Sequence, residues 1–116
     1  MNKIREVFFY KNYFLDFFDT LTSDVKTKLN WTLRLIETTE RVPIKYFKYL
    51  ESSTGIYEIR VEFGSNIYRV FSFFDEGKLI ILINGFKKKS NKTPRSEIAM
   101  AEKIKKEYFN EKSNNQ

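Results

Sequence analysis

Two arginines stand in segments that read as β-strand, and three consecutive lysines follow the last strand. Arg60 lies between Glu58 and Glu62 on the polar side of an alternating run, while Arg69 shares its side with Ile67, Phe71 and Phe73. A guanidinium placed among rings must find an acceptor or reach solvent. Two arrangements satisfy it. One is an internal ion pair, Arg69 with Glu58 or Glu62. The other is a rigid sheet that holds guanidinium groups ready for phosphate oxygens, whose geometry arginine matches. Lys87, Lys88 and Lys89 come between a strand exit and a helix start, so the cations form a constellation on separate elements. Tyr57, Tyr68 and Phe86 interleave with them, either as core residues or as platforms on which bases stack.

The charge is concentrated. Of 21 Lys and Arg, eight fall between Asn84 and Lys106, namely Lys87, Lys88, Lys89, Lys92, Arg95, Lys103, Lys105 and Lys106. Only Glu97 and Glu102 oppose them, so this segment carries the whole net charge of +6 and the rest is neutral. A local cationic surface either keeps the protein solvated or attracts a polyanion, an acidic protein or a nucleic acid.

With no His and no Cys among 116 residues, thiol nucleophiles, imidazole bases, disulfides and the usual zinc sites drop out. Neither a metal nor a cofactor is expected. Glu58 is left as a candidate acid or base, or as an internal ion-pair partner. Phosphoryl transfer can nevertheless run on positioning and charge. RNA cleavage needs the ribose 2′-OH held in line with its own phosphate, and cations facing the charge that develops on phosphorus and the leaving oxygen. Charges within Met1 to Glu6 break any signal-peptide apolar stretch, and Leu79 to Ile83 is far too short for a membrane span. A cytoplasmic protein without membrane partners is expected.

The elements that must position these groups follow from periodicity. Ile4 to Tyr10 reads as a first strand. Asn12 is placed to cap a short helix over Tyr13 to Thr20. Thr22 or Ser23 caps a second helix, in which Val25, Leu29, Leu33 and Ile36 share one face. Residues 42–51 read as an ordered connection held by Tyr46, Phe47 and Leu50. Tyr57 to Phe63, Ile67 to Phe74 and Lys78 to Ile83 are strands joined by short turns, hence antiparallel neighbours. Thr93 before Pro94 caps a last helix with Ile98, Ala101, Ile104 and Tyr108 inward. The prediction is one α+β domain over residues 1–110, ordered β-α-α-β-β-β-α, with a mostly antiparallel sheet and helices packed on one face. Residues 111–116 read as a polar tail that frays.

The run Gly55-Ile56-Tyr57-Glu58-Ile59-Arg60, then Asn66-Ile67-Tyr68-Arg69-Val70-Phe71, Gly85-Phe86-Lys87-Lys88-Lys89 and Lys92-Thr93-Pro94 resembles the phage-derived Gp49-like, HigB-like branch of the RelE/ParE toxin superfamily. The resemblance spans roughly residues 3 to 108. It implies the toxin of a type II toxin–antitoxin pair, acting as a metal-independent, ribosome-dependent mRNA endoribonuclease that inhibits translation. The superfamily also contains toxins that poison DNA gyrase, and a non-catalytic basic binding module is a further alternative. The implied partners are a cognate antitoxin of helix-turn-helix type, mRNA on the ribosome, and operator DNA only through the antitoxin complex. Arg69 matches the strand arginine that contacts the scissile phosphate, Arg60 a basic residue that holds or activates the RNA, and Lys87 a basic residue beside the leaving group. Lys48, Tyr68, Phe86, Lys88, Lys89, Lys92 and Arg95 complete the expected RNA-binding set. Glu58 departs from the family pattern, which is basic there in RNA-cutting members.

Overall fold

Alternation from Tyr57 onward builds the central hairpins, and a computed structural model describes residues 2–88 and 92–115. The elements are β1 (Glu6–Phe9), α1 (Tyr13–Asp19), α2 (Ser23–Thr38), β2 (Phe47–Tyr49), β3 (Tyr57–Phe63), β4 (Asn66–Asp75), β5 (Leu79–Lys88) and α3 (Arg95–Asn114). One sheet contains all five strands in the order β1-β5-β4-β3-β2. β1 runs parallel to β5 and the other pairs are antiparallel. The α+β class and the mostly antiparallel sheet are as expected.

Two expectations change. The connection after α2 contains a short edge strand, β2, so the order is β-α-α-β-β-β-β-α. Phe47 stacks on Tyr57 at 5.0 Å and Tyr49 lies 5.2 Å from the same ring, which anchors three residues too few to show a period. The helices also cover both faces of the sheet rather than one. Val25, Leu29, Leu33 and Ile36 of α2 meet Ile59, Val61, Val70, Ile80 and Leu82 on the first face. Ile98, Ala101 and Ile104 of α3 meet Ile56, Phe71, Phe73, Ile81 and Ile83 on the second. Both sides of β4 and β5 are apolar, so each needs a cover.

Local signals account for the helix starts only in part. The Thr22 side chain accepts a bond from Val25 N at 3.5 Å, capping α2 as predicted. Asn12 makes no side-chain cap on α1. Pro94, not Thr93, is the N-cap of α3, again without a side-chain cap bond.

The last helix runs on to Asn114, past the point where its apolar spacing stops. Polar groups hold it there instead. Tyr10 donates to Glu111 at 2.6 Å, Tyr13 donates to Glu107 at 3.0 Å, and Lys11 pairs with Glu111 at 2.9 Å. Asp75 accepts bonds from Tyr108 at 2.6 Å and Lys112 at 2.7 Å. Burial alone would raise the Asp75 carboxyl, but these two donors outweigh it and hold the group below its ordinary 3.8. Glu107 is lowered chiefly by the Tyr13 hydroxyl, and Glu111 by Tyr10 and then Lys11. Tyr108 is pushed up to about 12 by burial and by Asp75.

A carboxylate with a lowered folded value stabilises fully above its unfolded value and loses that contribution as pH falls through the folded one. The docking of α3 should therefore begin to weaken as pH falls below 4.5, the ordinary value of Glu107 and Glu111, and weaken further below 3.8, the ordinary value of Asp75. Raised Tyr108 and Lys112 act in the opposite sense, contributing below their unfolded values and losing effect under strongly alkaline conditions. Amide hydrogen exchange along 95–114 against pH should show this window, with protection of β4 surviving further into acid than protection of α3.

One irregularity matters for the site. Val70 faces Gly85 and Ser72 faces Leu82, so β5 carries one more residue than β4 across this step. The extra residue makes a bulge and inverts the alternation of β5. Before it, Ile81 and Ile83 face α3; after it, Phe86 packs on that side. Gly85 is needed at the crossing. A Cβ there would lie 2.5 Å from the Phe17 ring and 2.9 Å from the Arg69 carbonyl oxygen. The ring can shift but the strand backbone cannot, so Gly85→Ala should destabilise by about 2 kcal/mol. Urea unfolding at fixed pH would measure it.

Candidate nucleic-acid interface

The α3 face of the sheet holds a line of polar residues beyond the apolar cluster. Arg60 is directly opposite Arg69, and Arg69 is directly opposite Phe86, so cross-strand pairing sets all three on one face. Glu58 precedes Arg60 by two residues and therefore points the same way. Lys48 of β2 is opposite Glu58 and joins them.

Glu58 is the centre of the group and only 3% exposed. Its Oε1 lies 3.4 Å from Arg60 Nε and its Oε2 lies 3.3 Å from Arg69 Nε. The Thr93 hydroxyl donates to the same Oε2. Thr93, read from sequence as a helix cap, thus spends its hydroxyl on the sheet. Arg69 is fully buried, with its guanidinium 5.8 Å from the centre of the Phe86 ring. Phe86 in turn packs on Phe71 at 5.6 Å. The internal ion pair proposed for Arg69 is the arrangement found. Arg60 differs, because its side chain keeps 17% of its exposure and also approaches Glu62 at 4.0 Å.

Above this carboxylate lies a hollow of about 470 Å³, whose walls include Lys48, Glu51, Glu58, Arg60, Lys92 and Thr93. Three cations therefore reach one concavity from β2, β3 and the segment before α3. Arg95 is exposed at the start of α3 and lines a neighbouring hollow with Ser52 and Glu102.

The remaining expected residues lie elsewhere. Lys87 is opposite Tyr68, and Tyr68 is buried in the cluster beneath α1 and α2. Both therefore belong to the face away from Arg60 and Arg69, and Tyr68 is a core residue rather than a stacking platform. Lys88 is opposite Ile67 and returns to the arginine face, exposed at the strand end. Lys89 lies outside the described residues. The sequence reading missed Thr93 as a site residue; the Thr-Pro pair gave a signal, but for a cap. Among the described residues no group of three or more Asp, Glu, His or Cys could hold a metal ion, and no helix is long and apolar enough to cross a membrane.

The fold, a five-stranded sheet with one parallel edge strand and three helices, is similar to that of two solved RelE structures. A mutant of the E. coli toxin RelE in the free state aligns with a TM-score of 0.53 and 20% identity, over 73% of this chain and 82% of that one. The archaeal RelE–RelB complex from Pyrococcus horikoshii OT3 gives a TM-score of 0.54 and 20% identity, over 79% of this chain and 100% of the other. The model of the phage-derived protein Gp49-like family (DUF891) matches residues 16–106, and the chain belongs to that family. No curated protein matches the sequence.

Proposed function

We propose that the protein is the toxin of a type II toxin–antitoxin pair and cuts mRNA on the ribosome, with the hollow above Glu58 as its RNA site. The observation that carries this reading is the meeting of Lys48, Arg60 and Lys92 in one concavity. Three cations from different elements suit a phosphodiester better than a single charged stripe does, because they can surround the phosphate. In the reaction the 2′-hydroxyl attacks the adjacent phosphorus as its proton passes to water, the bond to the 5′-oxygen breaks as that oxygen takes a proton from water, and a 2′,3′-cyclic phosphate and a 5′-hydroxyl result. Arg60 faces the charge that grows on the phosphoryl oxygens. Glu58 orients Arg60 through Oε1, while Arg69 and Thr93 hold its Oε2. Arg69 acts from below by fixing Glu58.

The Gp49-like family membership and the fold of the toxin RelE support the toxin assignment. The solved RelE–RelB complex supports a protein antitoxin as partner, of helix-turn-helix type in this reading, which reaches operator DNA on the toxin's behalf. Induced expression followed by mapping of mRNA 5′ ends tests the proposal. New ends in phase with codons, dependent on translation, are the expected result. Growth arrest with intact mRNA and broken DNA would instead identify gyrase as the target.

A further inference from the structure

We infer that Thr93 is a positioning residue of the RNA site, latching the segment that carries Lys92 onto the sheet through Glu58. This rests on the reading of the hollow as a phosphodiester site. Thr93 precedes the first turn of α3 and gives that helix no side-chain cap. Its hydroxyl reaches 35 residues back to Glu58 Oε2, the oxygen that also meets Arg69. One carboxylate thereby ties three elements: β3 by its own backbone, β4 through Arg69, and the entry to α3 through Thr93. Glu58 Oε1 remains directed to Arg60.

The geometric consequence concerns Lys92. Pro94 restricts the backbone of the residue before it, so Thr93 is held extended, and its hydroxyl fixes where that extended segment lies. Lys92, one residue earlier, then lines the same hollow as Lys48 and Arg60. Without the hydroxyl the bond between this segment and Glu58 is lost, and with it one of the contacts that hold the carboxylate. The latch therefore acts on binding through Lys92, and on the carboxylate that aims Arg60.

Binding of a short, non-cleavable single-stranded RNA carrying a 2′-deoxy sugar at the scissile position tests this, across a series of salt concentrations. Each cation–phosphate contact contributes about 0.7 to the slope of log affinity against log salt for a single strand. Thr93→Val should weaken binding several-fold and reduce that slope by about one contact, as Lys92→Ala does. Adding Thr93→Val to Lys92→Ala should change the slope no further, because both remove the same contact. Thr93→Ser should restore wild-type affinity and slope. A thermal melt confirms that each variant is folded, and the Arg60 Nε–H resonance of the free protein should move in Thr93→Val and return in Thr93→Ser. Wild-type slope and affinity in a folded Thr93→Val variant would overturn the latch while leaving the RNA site standing. Failure of the wild-type protein to bind the RNA, with no effect of Lys48→Ala or Arg60→Ala, would overturn the site and the latch with it.

Discussion

Arg69→Ala should lower the unfolding free energy by about 3 kcal/mol, because it leaves the buried Glu58 carboxylate with one arginine instead of two. Arg69 is wholly enclosed, and its Nε contact to Glu58 is 3.3 Å. Removing it strips a counter-charge from a carboxylate that is only 3% exposed and opens a void beneath Phe86. Arg60 and Thr93 still contact Glu58, which keeps the loss near the low end for a broken buried pair. Urea unfolding of the variant gives the number directly. The double variant Glu58→Leu/Arg69→Met should regain much of the stability, since a well-packed apolar pair of similar volume replaces a buried ion pair at little cost. A single variant as stable as wild type would mean that Arg69 contributes nothing to holding the sheet face together. Loss of toxicity in Arg69→Ala alone thus reports a weakened scaffold, and does not make Arg69 a phosphate ligand.

That outcome shows what periodicity can and cannot reveal. The strand from Tyr57 to Phe63 was legible because period two separates its wet and dry sides, and α2 because four aliphatic residues recur at helical spacing. Arg69 was legible as an anomaly, a charge among Phe71 and Phe73, and the internal ion pair was one of its two readings. The partner Thr93 was hidden because a Thr before Pro has a local explanation, helix capping, that competes with a contact 35 residues away. The direction of Lys87 was hidden by the bulge. One extra residue in β5 between Leu82 and Gly85 reverses every later side chain, and an apolar run such as Leu79 to Ile83 carries no mark of where that happens. The strand at Phe47–Tyr49 is too short for a period, and the end of α3 is attached by hydroxyl and carboxylate groups that read as a polar tail.

The same reversal makes Arg60 and Lys87 separable by experiment. Under the proposed function, Arg60→Ala should reduce cleavage of ribosome-bound mRNA by about 10²-fold, the loss typical when one preorganised donor to a charged transition state is removed. Arg60 reaches the hollow, and Glu58 holds its Nε at 3.4 Å. Its removal leaves Arg69 and Thr93 on the carboxylate, so the fold should survive far better than in Arg69→Ala. Arg60→Lys keeps the charge but offers a flexible ammonium in place of a fixed planar fork, and should recover only part of the rate. Lys87→Ala should leave the rate close to wild type, because Lys87 pairs with Tyr68 on the face beneath α1 and α2. Single-turnover cleavage in a purified translation system, at saturating protein, separates these effects from binding. Equal losses in Arg60→Ala and Lys87→Ala would mean that the RNA wraps the sheet end and touches both faces, and the single-hollow mechanism would fail. A large loss confined to Arg60→Ala ties turnover to the face where β2, β3 and the entry to α3 meet.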